Sequence, residues 1–218
     1  FLNGQLDLYT DIARDNWDVI FTDDMSINPV LKERGIQEHR ISGLNVYYIG
    51  FNMSDPVLGK NLKLRQALSC AFNSGEWVGF YRNRIMRATG PIPPGVAGHV
   101  AETPFAFDLE RARKLLAEAG YPDGIDPATG HRLVLTLELG ATDTEMREST
   151  ELFVDFMDKL GVVVKPSYNN KPAFFEKVEK RQAQMFRLSW FADYPDGQNF
   201  LQLFYGPNES PGPNRANY

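Results

Sequence analysis

The segment Trp190–Asp196 (WFADYPD) places an aromatic side chain close to two acidic ones, at the point where an apolar run ends. One interpretation is a turn, because the segment runs through Pro-Asp into Gly197 and Trp190 is then a core residue. The other is the lip of a binding site. An aromatic wall lowers the local dielectric, so that Asp193 attracts a cation such as an α-ammonium group more strongly than it would in open water. The residues alone leave both interpretations open.

Two pairs of carboxylates are candidates for enzymatic acid–base chemistry. Asp193 pairs with Asp196, and Asp23 is adjacent to Asp24 after the apolar run WDVIF. Either pair suits a hydrolase in principle, but adjacent acids at the end of a strand are more typical of a solvated turn or a helix cap. The sequence contains no G-x-S-x-G nucleophile elbow. We therefore expect a protein that is not an enzyme and keep the hydrolase as an alternative.

Sequence motifs for metals and nucleotides are absent. His39, His99 and His131 are far apart and none belongs to an H-x-x-x-H or H-E-x-x-H pattern. Neither of the glycine-rich phosphate-binding motifs occurs. The single cysteine, Cys70, lies on the apolar face of a predicted helix and is expected to be a small buried hydrophobic residue. We therefore predict no metal site and no cofactor.

The composition is that of a globular chain with a mild acidic excess. Its 218 residues are 43% hydrophobic and carry a formal net charge of -5. This is enough for one large core or two modest ones, and the charge argues against nucleic acid as a partner. The sequence shows neither a signal peptide nor an apolar run long enough to span a bilayer. Because it begins without Met and ends without a closing element, we expect a fragment of a longer protein.

The elements that must position these residues alternate in the second half of the chain, which favours an α/β layer architecture. The predicted order is β-β-α-α-α-β-α-β-α-β-α. Strands are predicted at 17–21, 45–52, 131–139, 162–166 and 185–190, and helices at 62–72, from 74, at 109–119, from 142 and from 172. The stretch 90–98 (GPIPPGVAG) is predicted to be a stiff connector, since its prolines and glycines exclude a helix or a central strand.

The helix boundaries follow from capping residues. Ser74 is the predicted N-cap of the second helix of the 62–81 region, and Asp108 that of the helix at 109–119. Thr142 is predicted to form a capping box with Glu145. Gly161 is the predicted end of the helix that follows.

Six stretches occur in an order that resembles a known family. They are NGQLDLY, YYIGFNM with KLRQALSCAFN, GPIPPG, FDLERARKLLAEAGYPDG, ELFVDFMDKLGVVVK and LSWFADYPDGQNFLQLF. Because of these six stretches together, the chain resembles the family 5 extracytoplasmic solute-binding proteins of ABC importers, the peptide- and oligopeptide-binding group. It departs from the family pattern at Asn73-Ser74, where Asp-Arg is usual, at Ser189, where Gly is frequent, and at Gly197, where Pro is usual.

The resemblance implies an α/β fold, a periplasmic-binding-protein-like lobe with a mixed sheet flanked by helices. It implies that residues 1–218 form a single lobe, with 1–52 as incoming strands and connection and 53–218 as the body. The other, N-terminal lobe is then absent, and the whole protein closes on its ligand by hinge motion. The expected partners are a short peptide and the permease subunits of an ABC transporter. The expected location is periplasmic or extracytoplasmic, and a lipoprotein anchor is compatible with it.

The resemblance also assigns candidate binding residues. The family's amine-anchoring aspartate corresponds to Asp193, which would pair with the α-ammonium of the ligand. The preceding strand would bind the ligand backbone through main-chain groups of Ser189 and Phe191, with Trp190 as the adjacent wall. Main-chain bonding is indifferent to side chains and implies a broad range of peptides.

A second assignment concerns the other end of the ligand. Counting back from Gly161 without a gap places Arg147 at the arginine that meets the ligand carboxylate in dipeptide-binding relatives, a role that suits a guanidinium. The alternative is a solvated arginine on an exposed helix face. Some relatives bind oligosaccharides, metal chelates or haem, and these ligands stay open as alternatives, although the acid at position 193 favours peptides.

Overall fold

The computed structural model describes residues 1–10, 12, 16–41 and 43–218. The chain divides into two compact units, Phe1–Ser42 and Gly43–Tyr218. The segment 1–52, expected as incoming strands and connection, therefore divides near residue 42. The strand predicted at 45–52 belongs to the larger unit. The assignment of residues 1–218 to a single lobe stays a prediction.

The described residues of the smaller unit form two short helices, α1 (Trp17–Ile20) and α2 (Pro29–Glu33). The strand predicted at 17–21 is wrong, since these residues form α1 and only Phe21 makes a bridge, with Ile27. The chain reverses directly after this run, because the amide of Asn28 donates to the carbonyl of Ile20 at 2.8 Å. So short an apolar run fits a helical turn as well as a strand, and its periodicity cannot decide between them.

The larger unit is built on a mixed four-stranded sheet, as expected. The larger unit contains six strands in two sheets. They are β1 (Asn45–Phe51), β2 (Ile125–Asp126), β3 (His131–Arg132), β4 (Val134–Leu139), β5 (Val163–Tyr168) and β6 (Met185–Phe191). The main sheet has the order β1-β6-β4-β5, and β2 pairs with β3 in a separate small hairpin. Strand β4 is parallel to both β5 and β6, whereas β1 runs antiparallel to β6.

Helices cover both faces of this sheet. They are α3 (Leu62–Ala71), α4 (Ser74–Phe80), α5 (Leu109–Glu118), α6 (Thr144–Leu160), α7 (Lys171–Glu179) and α8 (Gln198–Leu201). Met185 belongs to the core cluster that includes residues of α3, α5 and α6, whereas its neighbour Phe186 packs with Phe174 and Val178 of α7. Successive residues of a strand point to opposite faces, so α7 lies opposite the other three helices. None of the described helices is both long and apolar enough to cross a membrane.

The alternation predicted for 131–139 is confirmed, but the single predicted strand is divided, since His131–Arg132 pair with β2 in the hairpin and β4 begins at Val134. Leu133, Leu135, Leu137 and Leu139 are 7%, 0%, 1% and 0% exposed and belong to the main core. Glu138 is also buried. Its carboxylate accepts hydrogen bonds from the ammonium of Lys177 at 2.8 Å and from the side-chain amide of Asn169 at 2.7 Å. The charge is therefore paired and solvated by the protein, as a buried carboxylate requires.

One of two predicted caps in the first half of the body is confirmed and the other is shifted. Asp108 caps α5 by accepting a hydrogen bond from the amide of Arg111 at 2.9 Å. Helix α4 is capped by Asn73 rather than by Ser74, which is its first helical residue. Asparagine is at least as good an N-cap as serine, so the preceding residue takes the role.

The same one-residue shift occurs at α6. The capping box predicted for Thr142 and Glu145 is wrong, because Asp143 is the N-cap and accepts from the amide of Met146 at 2.9 Å. Aspartate outranks threonine as a cap when the two are adjacent. The predicted end at Gly161 is confirmed, and its left-handed backbone, with φ of 96°, suits glycine.

Candidate functional site

The candidate site lies at the edge of the sheet where the parallel strands end. Strand β4 ends one residue past Glu138, whereas β6 continues five residues past Phe186, the partner of Glu138. The end of β6 therefore projects beyond β4 by four residues, or about 13 Å at the usual rise per residue. Among the described strands, the projecting part of β6 has one neighbour, which is β1.

The register of β1 and β6 decides which main-chain groups this projection leaves uncovered. The amide of Ala192 donates to the carbonyl of Leu44 at 2.8 Å, and the amide of Asn52 donates to that of Gln184 at 3.0 Å. In an antiparallel ladder the hydrogen-bonded pairs alternate, so the even-numbered residues of β6 face β1. Ser189 and Phe191 consequently direct their N–H and C=O groups to the opposite side, where β4 has already ended.

Asp193 follows at the tip of this projection. Its side chain is solvent-exposed and its Oδ2 lies 3.5 Å from the side-chain amide of Asn199. In the described parts of the chain no basic side chain forms an ion pair with it. The carboxylate is thus presented to solvent without a basic partner among the described residues.

Trp190 belongs to the core beneath the segment and is half-buried. It packs against a cluster formed by Val46, Ile92, Val96 and Phe200. Its indole Nε1 donates a hydrogen bond to Oδ1 of Asn199 at 2.7 Å. The structure therefore combines the two interpretations of this segment, a core tryptophan followed by an exposed acid.

The exposed aromatic surface is formed by two other side chains. Phe191 is 59% exposed and Tyr47, on the neighbouring strand β1, is 57% exposed. Their rings are 6.0 Å apart in an edge-to-face arrangement. Tyr47 is the cross-strand partner of Ser189, and Phe191 is the last residue of the strand that leads to Asp193. Sequence reasoning assigned the wall to Trp190 and missed Tyr47, because the cross-strand register was not known.

The proline-rich connector 90–98 supports the Asp193 turn from below. It forms neither helix nor strand, as predicted. A Cβ added at Gly197 would lie 2.8 Å from the carbonyl oxygen of Ala97 and 3.2 Å from Cδ1 of Ile92. Position 197 therefore has no room for the proline that is usual in the family pattern. Within the connector region, Nδ1 of His99 lies 2.8 Å from the carbonyl oxygen of Ile92, which gives this histidine a structural role.

Arg147 lies at the same edge of the sheet but is not brought into contact with Asp193 in the described structure. It belongs to the first turn of α6, and its Nε donates to the carbonyl of Thr142 at 3.0 Å. Its guanidinium stacks 4.6 Å from the centre of the Tyr168 ring at the end of β5. Because β5 is two strand positions from β6, a ligand joining the two residues would have to cross about 10 Å of sheet edge.

Sequence reasoning missed a second cation, Arg187 on β6. Its guanidinium donates to the hydroxyl of Ser149 at 2.7 Å and to that of Tyr81 at 3.0 Å, and lies 5.2 Å from the Trp77 ring. The side chain is half-buried, and among the described residues no carboxylate pairs with it. Charges removed from water are normally paired, so this guanidinium is a candidate anion-binding group. The available signal was a charged residue within the apolar strand MFRLSW.

In each pair of carboxylates considered for catalysis, one member bonds to the local backbone. Asp196 accepts a hydrogen bond from the amide of Gln198 at 2.8 Å, at the start of α8. Asp24 accepts from the hydroxyl of Thr22 at 2.6 Å and from the amide of Ser26 at 3.0 Å. The bond from Thr22 is the main reason why the pKa of Asp24 is lowered. In the pairs Asp193/Asp196 and Asp23/Asp24, the second acid therefore has the role of an acceptor within a turn.

The remaining metal-ligating residue types form no centre. Within the part of the chain that the structure describes, no group of three or more His, Cys, Asp or Glu side chains is placed to hold a metal ion. His39 and His131 are exposed at separate positions. Cys70 is fully buried in the main core, and burial raises the pKa of its thiol. It is the small buried residue that its position predicted.

Residues 1–212 match the family described as bacterial extracellular solute-binding proteins, family 5 Middle. Heme-binding protein A of Haemophilus influenzae is 28% identical over 178 residues, which are 81% of this chain and 32% of that protein. The dipeptide binding protein of Pseudoalteromonas sp. SM9913, solved with Met-Leu, is 28% identical, with a TM-score of 0.63 over 74% of this chain and 31% of its own.

The whole chain superposes on 40% of the periplasmic murein tripeptide binding protein MppA in its unliganded open form, with a TM-score of 0.76 and 21% identity. This similarity shows the fold alone, and it confirms the periplasmic-binding-protein-like architecture. The chain spans about a third of the length of the two relatives with 28% identity. Because the family description matches nearly all of it, this chain belongs to the family 5 bacterial extracellular solute-binding proteins.

Proposed function

We propose that this chain is the peptide-binding lobe of an ABC-importer receptor, which captures short peptides with a free amino terminus and delivers them to a membrane permease. One observation carries the proposal. The uncompensated carboxylate of Asp193 directly follows a strand end whose last outward main-chain groups, those of Ser189 and Phe191, have no neighbouring strand.

The proposed binding mode uses this strand end as a template. A peptide laid alongside the projecting part of β6 bonds to the N–H and C=O groups of Ser189 and Phe191 and takes the place that β4 vacates. Its α-ammonium then reaches the carboxylate of Asp193, which fixes the register of the peptide through a charge-assisted hydrogen bond. The exposed ring of Phe191 offers apolar contact to the first side chains, and the ring of Tyr47 packs against it from β1. Since most bonds involve backbone, many sequences are accepted.

The carboxylate end of the ligand has two candidate partners. Arg147, stacked on Tyr168, is exposed and suits a ligand that crosses the sheet edge toward β5. Arg187 lies further down β6, held by Ser149 and Tyr81, and suits a ligand that stays along this strand. The similarity to a dipeptide binding protein solved with Met-Leu supports a short ligand.

A haem-binding receptor is the second candidate function. The relative with 28% identity over 81% of this chain is named heme-binding protein A. In that case Arg147 and Arg187 would pair with the propionates of the porphyrin, whereas Asp193 would have no cationic partner in the ligand. The two candidates therefore differ in the residues that contribute most to binding, which are Asp193 for a peptide and the two arginines for haem.

The wider setting is part of the same proposal. The other lobe of the cleft is supplied by the same full-length protein, the receptor acts in the periplasm or at the outer surface of the cell, and its downstream partner is a permease. Anchoring as a lipoprotein is compatible with this arrangement. The chain contributes binding and not catalysis.

Calorimetry on the full-length protein tests the proposal. Binding of a short peptide is compared with binding of its N-acetylated twin, which has the same shape but no ammonium group, and with binding of haem. The proposal expects the free peptide to bind at least tenfold more tightly than the acetylated one, since a charge-assisted bond is lost. Equal affinity for the two peptides refutes the amine-anchor role, and tight binding of haem alone supports the second candidate.

A further inference from the structure

Asn199 is a fully buried polar residue directly beneath Asp193. It lies in the first turn of α8 and is 0% exposed. Its side-chain amide stands between two groups of the candidate site. Oδ1 lies 2.7 Å from the indole Nε1 of Trp190, and Nδ2 lies 3.5 Å from Oδ2 of Asp193. The residue therefore links the core tryptophan to the exposed carboxylate.

The chemistry of the two neighbours permits only one orientation of this amide. The indole N–H of Trp190 is a donor and cannot accept, so it requires the oxygen of the amide. An ionised carboxylate accepts and cannot donate, so Asp193 requires the NH₂ group. Both requirements are met together, and rotating the amide by 180° would violate both. The short bond to Trp190 thus holds the NH₂ group toward Asp193.

The backbone of Asn199 is fixed as well. Its amide donates to the carbonyl of Asp196 at 3.1 Å, and its carbonyl accepts from the side chain of Gln202 at 2.9 Å. The adjacent Gly197 is in close contact with the connector 90–98. The NH₂ group is therefore a stationary donor, whereas the side chain of Asp193 is exposed and would otherwise sample several rotamers.

We propose that Asn199 is a positioning residue for the amine anchor. It holds Oδ2 of Asp193 and so leaves Oδ1 directed at the ligand ammonium. This inference rests on the proposed function, because it concerns the same carboxylate. It adds that recognition of the amino terminus depends on a buried amide that the ligand does not contact, and that Trp190 acts by orienting this amide.

The test measures the preference for a free amine, defined as the ratio of dissociation constants of N-acetyl-Ala-Ala-Ala and Ala-Ala-Ala on the full-length protein. Asn199→Leu keeps the size of the side chain but removes the donor. We expect it to lower the preference about fivefold, which corresponds to the net contribution of one ordinary hydrogen bond, with binding of the acetylated peptide unchanged. The control Gln198→Leu alters an exposed amide of the same helix and should leave the ratio at its original value. Asp193→Asn should reduce the ratio to about one.

The outcomes separate the two proposals. If Asp193→Asn abolishes the preference and Asn199→Leu does not change it, the positioning role is wrong and the amine anchor stands. If Asp193→Asn leaves the preference intact, the amine anchor fails and the positioning role fails with it. Equal weakening of both peptides by Asn199→Leu shows a purely structural residue and also overturns the inference.

A second measurement applies if Asn199→Leu does not fold. The side-chain amide protons of Asn199 are followed by ¹H–¹⁵N NMR in Asp193→Ala and in the control Asp196→Asn, which keeps the acceptor for the amide of Gln198. We expect a shift of one of the two protons in Asp193→Ala only, because its acceptor is removed. Resonances that do not respond to Asp193→Ala contradict the contact on which the inference depends.

Discussion

Replacing Asp193 by Asn is the perturbation that bears most directly on the proposed site. The substitution keeps the shape and removes the charge. At a separation near 4 Å, two unit charges attract by about 1 kcal/mol in bulk water and about 4 kcal/mol at an effective dielectric constant of 20. Asp193 is exposed in this lobe, and closure of a second lobe would remove part of the water. We therefore expect a loss of about 2 kcal/mol, which is about thirtyfold in affinity.

The assay is calorimetric titration of the full-length protein with a free tripeptide at low and at high salt. The matched control is Asp196→Asn, three residues along the same turn, where an asparagine side chain can still accept the hydrogen bond from the amide of Gln198. The control should bind as the unmodified protein does. The acetylated tripeptide should bind equally to both variants, because it has no ammonium to lose. Part of the thirtyfold difference should also disappear at high salt, since screening weakens an exposed ion pair.

Three results would refute this reasoning. One is a loss smaller than about threefold in Asp193→Asn, which is within the range of a minor contact. Another is an equal loss in Asp196→Asn, which would show a general effect of negative charge on the turn. The last is a parallel loss for the acetylated peptide, which would show that the substitution disturbs the fold of the strand end.

Three further predictions concern other parts of the lobe. Arg147→Ala should weaken dipeptides much more than long peptides, because only a short ligand ends near Tyr168, and titration with a peptide series checks this. Gly197→Ala should lower the free energy of unfolding by about 1–3 kcal/mol, because its Cβ meets the Ala97 carbonyl at 2.8 Å. The control Gly79→Ala, with no atom within 4 Å, should stabilise by about 0.5–1 kcal/mol in the same urea titration. Desolvation raises the pKa of Tyr48 to about 12. The unfolded chain therefore loses this proton first, so between pH 10 and 12 stability should fall by about 2 kcal/mol more in the original protein than in Tyr48→Phe, in which Tyr121, whose pKa burial also raises, still titrates.

The sequence predicts those parts of the fold that depend on local pattern. The alternating leucines of 131–139 gave both the strand and its buried face, because a period of two has one structural solution. Asp108 and Gly161 gave helix boundaries for a similar reason, since each satisfies a backbone requirement that few residues meet. Where two capping residues are adjacent, as at Thr142 and Asp143, the pattern leaves the choice open by one residue.

The features that sequence reasoning predicted wrongly or missed depend on contacts between residues that are far apart in the sequence. The apolar run at 17–21 forms a helical turn, because whether a strand forms is decided by the partner and not by the run itself. At the site, Asp193 was identified through the family pattern. The outward direction of the Ser189 and Phe191 main chain required the register of β1 and the end point of β4. Arg187 is a charge within an apolar strand, a signal that sequence reasoning did not use, and its contact with Tyr81 spans 106 residues and has no local signature.

A crystal structure of the full-length protein with a short free peptide is the most direct test of the central claim. The account predicts that the peptide nitrogen lies about 3 Å from a carboxylate oxygen of Asp193, and that the peptide backbone bonds to the main-chain groups of Ser189 and Phe191. A peptide that lies elsewhere, or whose amino terminus points away from a solvated Asp193, would contradict it.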